Sequence, residues 1–533
     1  MSAEPVPGPA PKQRFKSILC MPGAPEPVAW TPELALYHDL NLDQIIDAAI
    51  AGREPYELRE FFYAPLDDVA EIEYRHEVFR DLEDPGVHED VRDFAAGVAK
   101  MREHLQASHK HGYEHQQKRW FLAAASDYCA AVCDLAARLD EADVRSQAMT
   151  ALGGYLADYS SSDAFIELRD EVREVEAGLA GLTYGVEILG DRVRVQHFHD
   201  EPDYSAQVAA AFEKFRQGAV KSHLAKFPSY ADMDHVEGQI LERVAQLFPE
   251  QFGALDRFCS GHASFADPVV LAFDREVQFY LAWLDYLAPI RQAGLSVAYP
   301  SLSAADKSEA AAETFDLALA AKLVRDGVPV ITNDYRLDGP ERMIVVSGPN
   351  QGGKTTFART VGQLHYLAKL GLPLPGRDVT LLLCDRVFTH FERPENLQDL
   401  VGKLHDDLLR IHSILDKATP RSVVILNEIF TSTTMQDALF LSKEILSRLM
   451  QLDAVSVCVT FLEQLSTLGP ATVSMVSTVR PEDPATRTFK VVRQQADGRA
   501  YALAIAERYG LTYDQLKGRL ADGDGDGDGR QSA

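Results

Sequence analysis

The chain has 533 residues, of which 46% are hydrophobic and 25% charged, an ordinary balance for a globular protein of two or more domains. Its 53 basic and 80 acidic residues give a formal net charge of −27. That excess of acid excludes a protein that coats nucleic acid through a general surplus of Lys and Arg, and leaves only local basic patches for such contacts.

In chain order, residues 1–15 are Pro-, Ala- and Gly-rich, read as a disordered tail, and lack the apolar stretch of a secretory signal. No apolar run reads as long enough to span a bilayer, so no membrane partner is expected. The six cysteines are scattered, and the closest pair, Cys129 and Cys133, lies one helical turn apart. This is neither a disulfide framework nor a zinc spacing, and it points to reduced thiols in a cytoplasmic protein.

From residue 16 to about 300 the texture is helical. "NLDQIIDAAIAG", "VAEIEYRHEVFRDLED" and "YCAAVCDLAARLDEADV" carry apolar residues at helical spacing. One interruption, residues 183–199, alternates on both sides of Gly190-Asp191 and predicts a β-hairpin. Two long helices are predicted after it, "HVEGQILERVAQLF", read as packed core, and "REVQFYLAWLDYLAPIRQAG".

Residues 301–520 change class. "RMIVVSG", "VTLLLCD", "SVVILNE", "AVSVCVT", "ATVSMVSTV" and "TFKVVRQQ" read as strands, with helices over 355–371 and 397–417 and a third between "SVVILNE" and "AVSVCVT". The tail 521–533, "ADGDGDGDGRQSA", is low-complexity and acidic and reads as solvated, disordered chain. The expected architecture is therefore multidomain: an all-α region with a small β-hairpin, which the resemblance given below makes a core and lever region, followed by a P-loop α/β domain.

The sharpest motif is "GPNQGGKT", which fits G-x-x-x-x-G-K-[ST] between a predicted strand and a predicted helix. Gly348, Pro349, Asn350, Gln351, Gly352, Gly353, Lys354, Thr355 and Thr356 are expected to hold a nucleotide. Glycines let backbone N–H groups approach phosphate, Lys354 would reach the β- and γ-phosphates, and Thr355 would ligate Mg²⁺. In "VVILNE", Asn427 stands where a metal-associated Asp is usual, and Glu428 is placed to polarise an attacking water. ATP and Mg²⁺ are the expected ligands, with Lys354 and Glu428 the catalytic candidates and Thr355 and Asn427 the metal candidates. Binding is expected to be intact and hydrolysis slow, because an amide cannot offset the charge of Mg²⁺.

These blocks resemble the MutS family of DNA mismatch-repair ATPases. Gly348-Pro349-Asn350 before Gly352-Gly353-Lys354 is similar to the family's phosphate-loop hallmark. "CDRVFTHF", "NEIFTSTTMQDA" and "GRAYALAIAERYGL" resemble further blocks in the family's order, and "FFYAPLDDVAEIEYRHEVFRDL" resembles its core-domain segment. The resemblance implies an ABC-type ATPase domain that dimerises head to tail around nucleotide. It also implies helical levers ending in a DNA clamp, with the 183–199 hairpin as a reduced clamp. The departures are Asn427 for Asp, Phe461 for a His after Thr460, Gly402 and Lys403 for the signature Ser-Thr, and Val330 where an adenine-stacking aromatic tends to fall. The mismatch-reading domain and the C-terminal dimerisation segment are expected to be lacking. "FIE" at Phe165–Glu167 is a chance likeness to the mismatch wedge.

Arg192 and Arg194 on the hairpin, with Lys214, Arg216, Lys221 and Lys226 beyond it, form a local basic group that would contact DNA phosphates; a solvated helix face is an equal reading. His104, His109, His111 and His115 read as a helix surface rather than a metal site. Asp385 reads as a structural strand-end acid. The expected function is a MutS-like ATP-binding protein, dimeric through its ATPase domains, that couples nucleotide to branched or mismatched DNA. The alternative, favoured by the acidic balance, is a nucleotide-gated scaffold that binds a protein partner and no DNA.

Overall fold

The computed structural model describes residues 15–24, 34–110, 112–190, 192–199, 233–392, 402–480 and 482–496, with Ala211 and a few positions from 511 to 517. Lys214, Arg216, Lys221, Lys226 and His111, residues 1–14, residues 521–533 and the late "GRAYALAIAERYG" stretch lie outside the described residues, whereas Phe15, read as the end of the N-terminal tail, is buried. The chain divides into two units, Met1–Lys16 with Arg80–Asp274 and Ser17–Phe79 with Arg275–Ala533. This division differs from the sequence expectation of a boundary at 300.

The second unit begins with helices α1 (Leu34–Asp39), α2 (Leu42–Ile50), α3 (Arg59–Phe62) and the first part of α4 (Val69–Leu82). The helical unit then takes α5 (Pro85–Lys110), α6 (Glu114–Glu141), α7 (Gln147–Ser160) and α8 (Asp163–Ala180). It continues with strands β1 (Tyr184–Leu189) and β2 (Arg192–His197), then α9 (His235–Leu247) and α10 (Pro249–Gly261). Helix α5 buries Val87, Val91, Phe94, Val98 and Met101, and α6 buries Leu122, Ala125, Cys129, Val132, Ala136 and Leu139. Both sets alternate steps of three and four, the pattern of side chains interlocking between two helices. A Cβ at Gly97 would come 2.9 Å from Ala131 Cβ, so the two helices touch closely there.

Helix α6 corrects one expectation: by length and composition it is apolar enough to cross a membrane. Its apolar window is half buried inside the protein. Its mid-helix Asp127 accepts from Lys100 at 2.8 Å and faces His104 at 2.7 Å. It therefore has the buried apolar face and paired acid of a core helix. Helix α9 is a second correction, because only Gly238 and Val244 are buried, so it is a surface helix rather than core. Phe165 is buried in the first turn of α8, which removes any wedge reading.

The hairpin forms as expected, with Leu189 opposite Arg192 and Gly190 at φ 65°. Pairs directly opposite share a face. One face thus carries Tyr184, Val186, Ile188, Val193 and Val195, and the other carries Glu187, Arg192 and Arg194.

The second unit continues with the C-terminal part of α11 (Pro268–Gln292), then β3 (Val297–Ala298), β4 (Ser301–Ser303), β5 (Glu309–Thr314), α12 (Leu317–Arg325) and β6 (Asn333–Leu337). Next come β7 (Met343–Ser347), α13 (Lys354–Lys369), β8 (Leu374–Pro375), β9 (Arg377–Leu382) and β10 (Val387–Phe391). The described elements end with α14 (Lys403–Lys417), β11 (Val423–Asn427), α15 (Met435–Gln451), β12 (Val455–Val459), β13 (Thr472–Arg480) and β14 (Asp483–Arg493). Its main sheet has the order β10-β11-β12-β7-β13-β14, parallel except for β14. Strands β7, β11 and β12 are buried at every position, as expected where helices cover both faces of a sheet.

"VTLLLCD" is a strand, but it belongs to a separate four-stranded sheet, β4-β9-β5-β6. The neighbour of β11 in the parallel sheet is β10, from "VFTHF".

The reason that residues 17–79 join this unit is α13, which they cover. Gln363 Nε2 donates to Leu40 O at 2.8 Å, Tyr366 Oη to Phe62 O at 2.8 Å, and Arg359 Nε to Asp39 O at 3.0 Å. Leu66 N donates to Lys369 O at 2.7 Å. Buried Arg75 donates to Leu19 O at 3.1 Å and Leu370 O at 2.7 Å, so its charge ends on carbonyl oxygens. Thirteen of the sixteen α13 residues are buried in consequence, which fixes the helix that starts at Lys354.

Candidate functional site

The site lies at the C-terminal ends of β7 and β11. Strand β7 runs into Gly348, whose φ of 114° needs glycine, and Gly353 at φ 92° ends the loop as the N-cap of α13. Gln351 also sits at φ 59°. The loop turns back over Lys354, whose Nζ donates to Gly348 O at 3.0 Å, Pro349 O at 3.2 Å and Asn350 Oδ1 at 3.3 Å. Only 4% of the Lys354 side chain is exposed. Burial holds its ammonium below the usual lysine range, opposed by Glu428, whose Oε1 lies 4.0 Å away, and reinforced by Arg487.

Thr355, on the first turn of α13, donates from Oγ1 to Asn427 Oδ1 at 2.9 Å. Asn427 is the last residue of β11, and Glu428 follows at φ 51° with its N–H on Val459 O at 2.9 Å. A carboxylate-bearing residue in this left-handed conformation is uncommon, and here the turn swings Glu428 toward Lys354. The structure thus brings together Lys354, Thr355, Asn427 and Glu428, which the sequence had separated by over 70 positions. Gln351, Gly352, Gly353, Lys354, Thr355, Thr356 and Glu428 line a pocket of about 260 Å³, joined by Leu319 and Phe489.

Other predicted residues fall elsewhere. Asp385 precedes β10, at the opposite end of the sheet from Asn427, whose partner in register is Phe391. Burial raises the Asp385 carboxyl, but hydrogen bonds from Thr419 at 2.6 Å and Ser422 at 2.8 Å hold it below the ordinary range. It is a structural acid. Lys403 pairs with Glu392, and Phe461 is exposed just beyond buried Thr460. On the hairpin, Arg194 lies 3.6 Å from Glu187 across the strands, so part of its charge is answered locally. Among the described residues no cluster of His, Cys, Asp or Glu is arranged to hold a metal. Among the described residues no disulfide is formed.

Ser477, on β13, had no sequence signal. It is fully buried and donates from Oγ to Gly352 O at 2.6 Å. A Cβ at Gly348 would meet Ser477 O at 2.7 Å, and one at Gly352 would meet Ser477 Oγ at 2.2 Å. The loop is therefore pressed onto β13, and both glycines are required by that contact, Gly348 by its φ of 114° as well.

Residues 344–516, which include β7, the loop, β11 and β13, match the family model MutS domain V. This part of the chain is similar to the MutS family. It is 29% identical over 188 residues to an endonuclease MutS2 of Thermus thermophilus, covering 35% of this chain and 25% of that protein. It is 30% identical over 186 residues to a DNA mismatch repair protein MutS of Shouchella clausii, covering 34% and 21% of the two. The matched part of the chain spans about a quarter of the length of the curated relatives it resembles. The likeness to MutS proteins covers the site and the sheet that carries it.

Proposed function

We propose that the chain is a MutS-like ATP-binding protein that couples ATP binding and slow hydrolysis to DNA binding, in mismatch repair or recombination-related DNA metabolism. In this reading it works in the cytoplasm as a homodimer joined through its ATPase domains, on branched or mismatched DNA. The observation that carries the reading is the Thr355–Asn427 hydrogen bond of 2.9 Å beside Lys354 and Glu428.

The donor set suits Mg²⁺, since Thr355 Oγ1 and Asn427 Oδ1 are hard oxygens side by side. Bound with the nucleotide, Mg²⁺ would neutralise charge on the phosphate oxygens. Lys354, buried and now satisfied by three loop oxygens, exchanges them for phosphate oxygens. Glu428 orients and polarises the attacking water. Asn427 retains the acceptor for Thr355 and supplies no negative charge. Losing a few kcal/mol of transition-state stabilisation slows hydrolysis by orders of magnitude, at about 1.4 kcal/mol per tenfold. Slow hydrolysis suits a switch in which bound nucleotide holds one conformation and its cleavage releases it.

The test is a binding panel of duplex, four-way junction and mismatched DNA, each with and without ATP at fixed salt. The expected outcome is ATP-dependent binding to one or more of these. ATP binding with no DNA binding at all replaces this reading by the nucleotide-gated scaffold, which the net charge of −27 favours.

A further inference from the structure

The phosphate loop is held by a second cation, which comes from the edge of the sheet. Strands β13 and β14 pair in register at Val476–Val492 and Ser477–Val491, and then resume at Val479–Arg487. Only Thr478 lies between these pairs on β13, while Thr488, Phe489 and Lys490 lie between them on β14. Two extra residues are therefore inserted into β14, a bulge of the kind that bends a strand and re-aims a side chain. Thr488 Oγ1 donates to Thr478 O at 2.9 Å and Thr478 Oγ1 to Lys490 O at 3.1 Å, which ties the bulge to β13. Asn333 on β6 fixes its other side, with Nδ2 donating to Phe489 O at 3.4 Å and Oδ1 accepting from Val491 N at 2.7 Å.

The bulged strand lies against the loop at two places. A Cβ on Gly353 would stand 3.6 Å from Phe489 O. Half-buried Arg487 donates from Nε to Asn350 O at 3.2 Å. Lys354 Nζ holds the side chain of that same residue, Asn350 Oδ1, at 3.3 Å. Two cations, one on α13 and one on β14, thus grip a single loop residue through its two carbonyl oxygens.

The loop therefore carries Lys354 and Arg487 against one acid, Glu428, while Asn427 is neutral. A triphosphate brings several negative charges to this place. Where a carboxylate holds Mg²⁺ firmly, the metal offsets them. An amide holds it less firmly, so more of the offset falls to the protein's own cations. A guanidinium suits that task, because it is always charged and its planar fork matches two phosphate oxygens at once. Lys354 is the residue expected at the β- and γ-phosphates, and Arg487 shares Asn350 with it, which puts the guanidinium at the outer end of the phosphate chain.

We propose that Arg487 is a ligand of the terminal phosphate, supplied by the same chain, and that it provides there the positive charge that a loosely held Mg²⁺ does not. The inference rests on the nucleotide reading of the same site. When nucleotide binds, the guanidinium exchanges Asn350 O for phosphate oxygens, as Lys354 exchanges its own loop oxygens. Triphosphate is then preferred over diphosphate, and that preference does not depend on the metal.

The test is calorimetric titration of the full chain with ATP, ADP or inorganic tripolyphosphate, each with Mg²⁺ and with EDTA in its place. The wild type should bind ATP and tripolyphosphate in EDTA within about tenfold of their affinities in Mg²⁺, and ATP about tenfold or more tighter than ADP in both, as expected from one charged hydrogen-bonding group. Arg487→Gln should lose about tenfold or more for ATP and tripolyphosphate in EDTA and keep ADP within a few-fold. Arg487→Lys, which keeps the charge without the fork, should recover part of the loss. ATP binding by the wild type only in Mg²⁺, or undiminished ATP binding by Arg487→Gln in EDTA, overturns the role of Arg487 and leaves the phosphate site standing. An equal loss of ATP and ADP in Arg487→Gln assigns the residue to bracing Asn350 and also overturns it. Failure of the wild type to bind ATP or tripolyphosphate in either condition overturns the nucleotide reading and this inference with it.

Discussion

A single oxygen-for-nitrogen difference decides the chemistry at Asn427. Its carbonyl accepts from Thr355 as a carboxylate would, so geometry is conserved while charge is not. Asn427→Asp keeps the acceptor and restores the charge, and should raise Mg²⁺-dependent ATP turnover by tenfold or more in a steady-state phosphate-release assay, about 1.4 kcal/mol or more. An unchanged rate shows that the amide is not the limiting feature. Glu428→Gln should reduce whatever turnover the wild type has to background while preserving ATP binding; a variant as active as wild type removes Glu428 from the mechanism. Gly352→Ala should abolish binding of both ATP and tripolyphosphate, because its Cβ would fall 2.2 Å from Ser477 Oγ and 3.0 Å from Pro349 O. Lys354, Thr355, Asn427 and Glu428 were all legible as site candidates, because a loop motif and an apolar strand ending in Asn-Glu are local patterns. Ser477 and Arg487 were not, because their roles arise from contacts made across more than 100 residues.

At the scale of elements, α13 is the part on which the site depends. Its fourth turn carries His365, fully buried with Nε2 3.3 Å from Glu309 Oε1 on β5. Burial alone would lower the imidazole, but Glu309 and Cys384 outweigh it and raise it to about 10. The stabilisation from this raised group is complete below the unfolded-state value of about 6.5 and is lost as pH rises through the folded-state value. Thermal melts should therefore show a midpoint that falls between pH 7 and pH 10, with a smaller fall in Glu309→Gln. Removing the acid leaves a buried imidazole without its partner and should cost on the order of 3 kcal/mol in denaturant unfolding near neutral pH. A pH profile identical in the two proteins would show that the pair is not the source. The helices and strands themselves were largely legible from periodicity. The assignment of "VTLLLCD" to a second sheet was not, because a continuous apolar strand looks the same in either sheet.

For the whole molecule, the acidic balance and the local basic residues pull in opposite directions. Arg192 and Arg194 share one face of the hairpin with Glu187, and Arg194 is already engaged by that acid. If the hairpin contacts phosphates, replacing both arginines by Ala should weaken DNA binding uniformly across sequences and lower the salt slope by about two. An unaltered slope places the DNA contact elsewhere. Dimerisation through the ATPase domains predicts a doubling of mass on adding ATP and Mg²⁺ to Glu428→Gln, read by light scattering. A mass unchanged by nucleotide argues against a nucleotide-sandwiched pair.

The amino-acid sequence by itself determined the order of elements, the glycine-rich loop, the Asn-Glu strand end, the presence of the hairpin and the likeness of the ATPase part to MutS proteins. Each is written in residues a few positions apart, where backbone sterics and side-chain periodicity act. Only the tertiary structure decided that Ser17–Phe79 belongs with the sheet unit, that Ser477 braces the loop, that Asp385 stands at the wrong end of the sheet, and that the bulged β14 brings Arg487 onto the loop. Those outcomes depend on which distant surfaces meet when apolar area is buried. Periodicity within one segment carries no record of its partner.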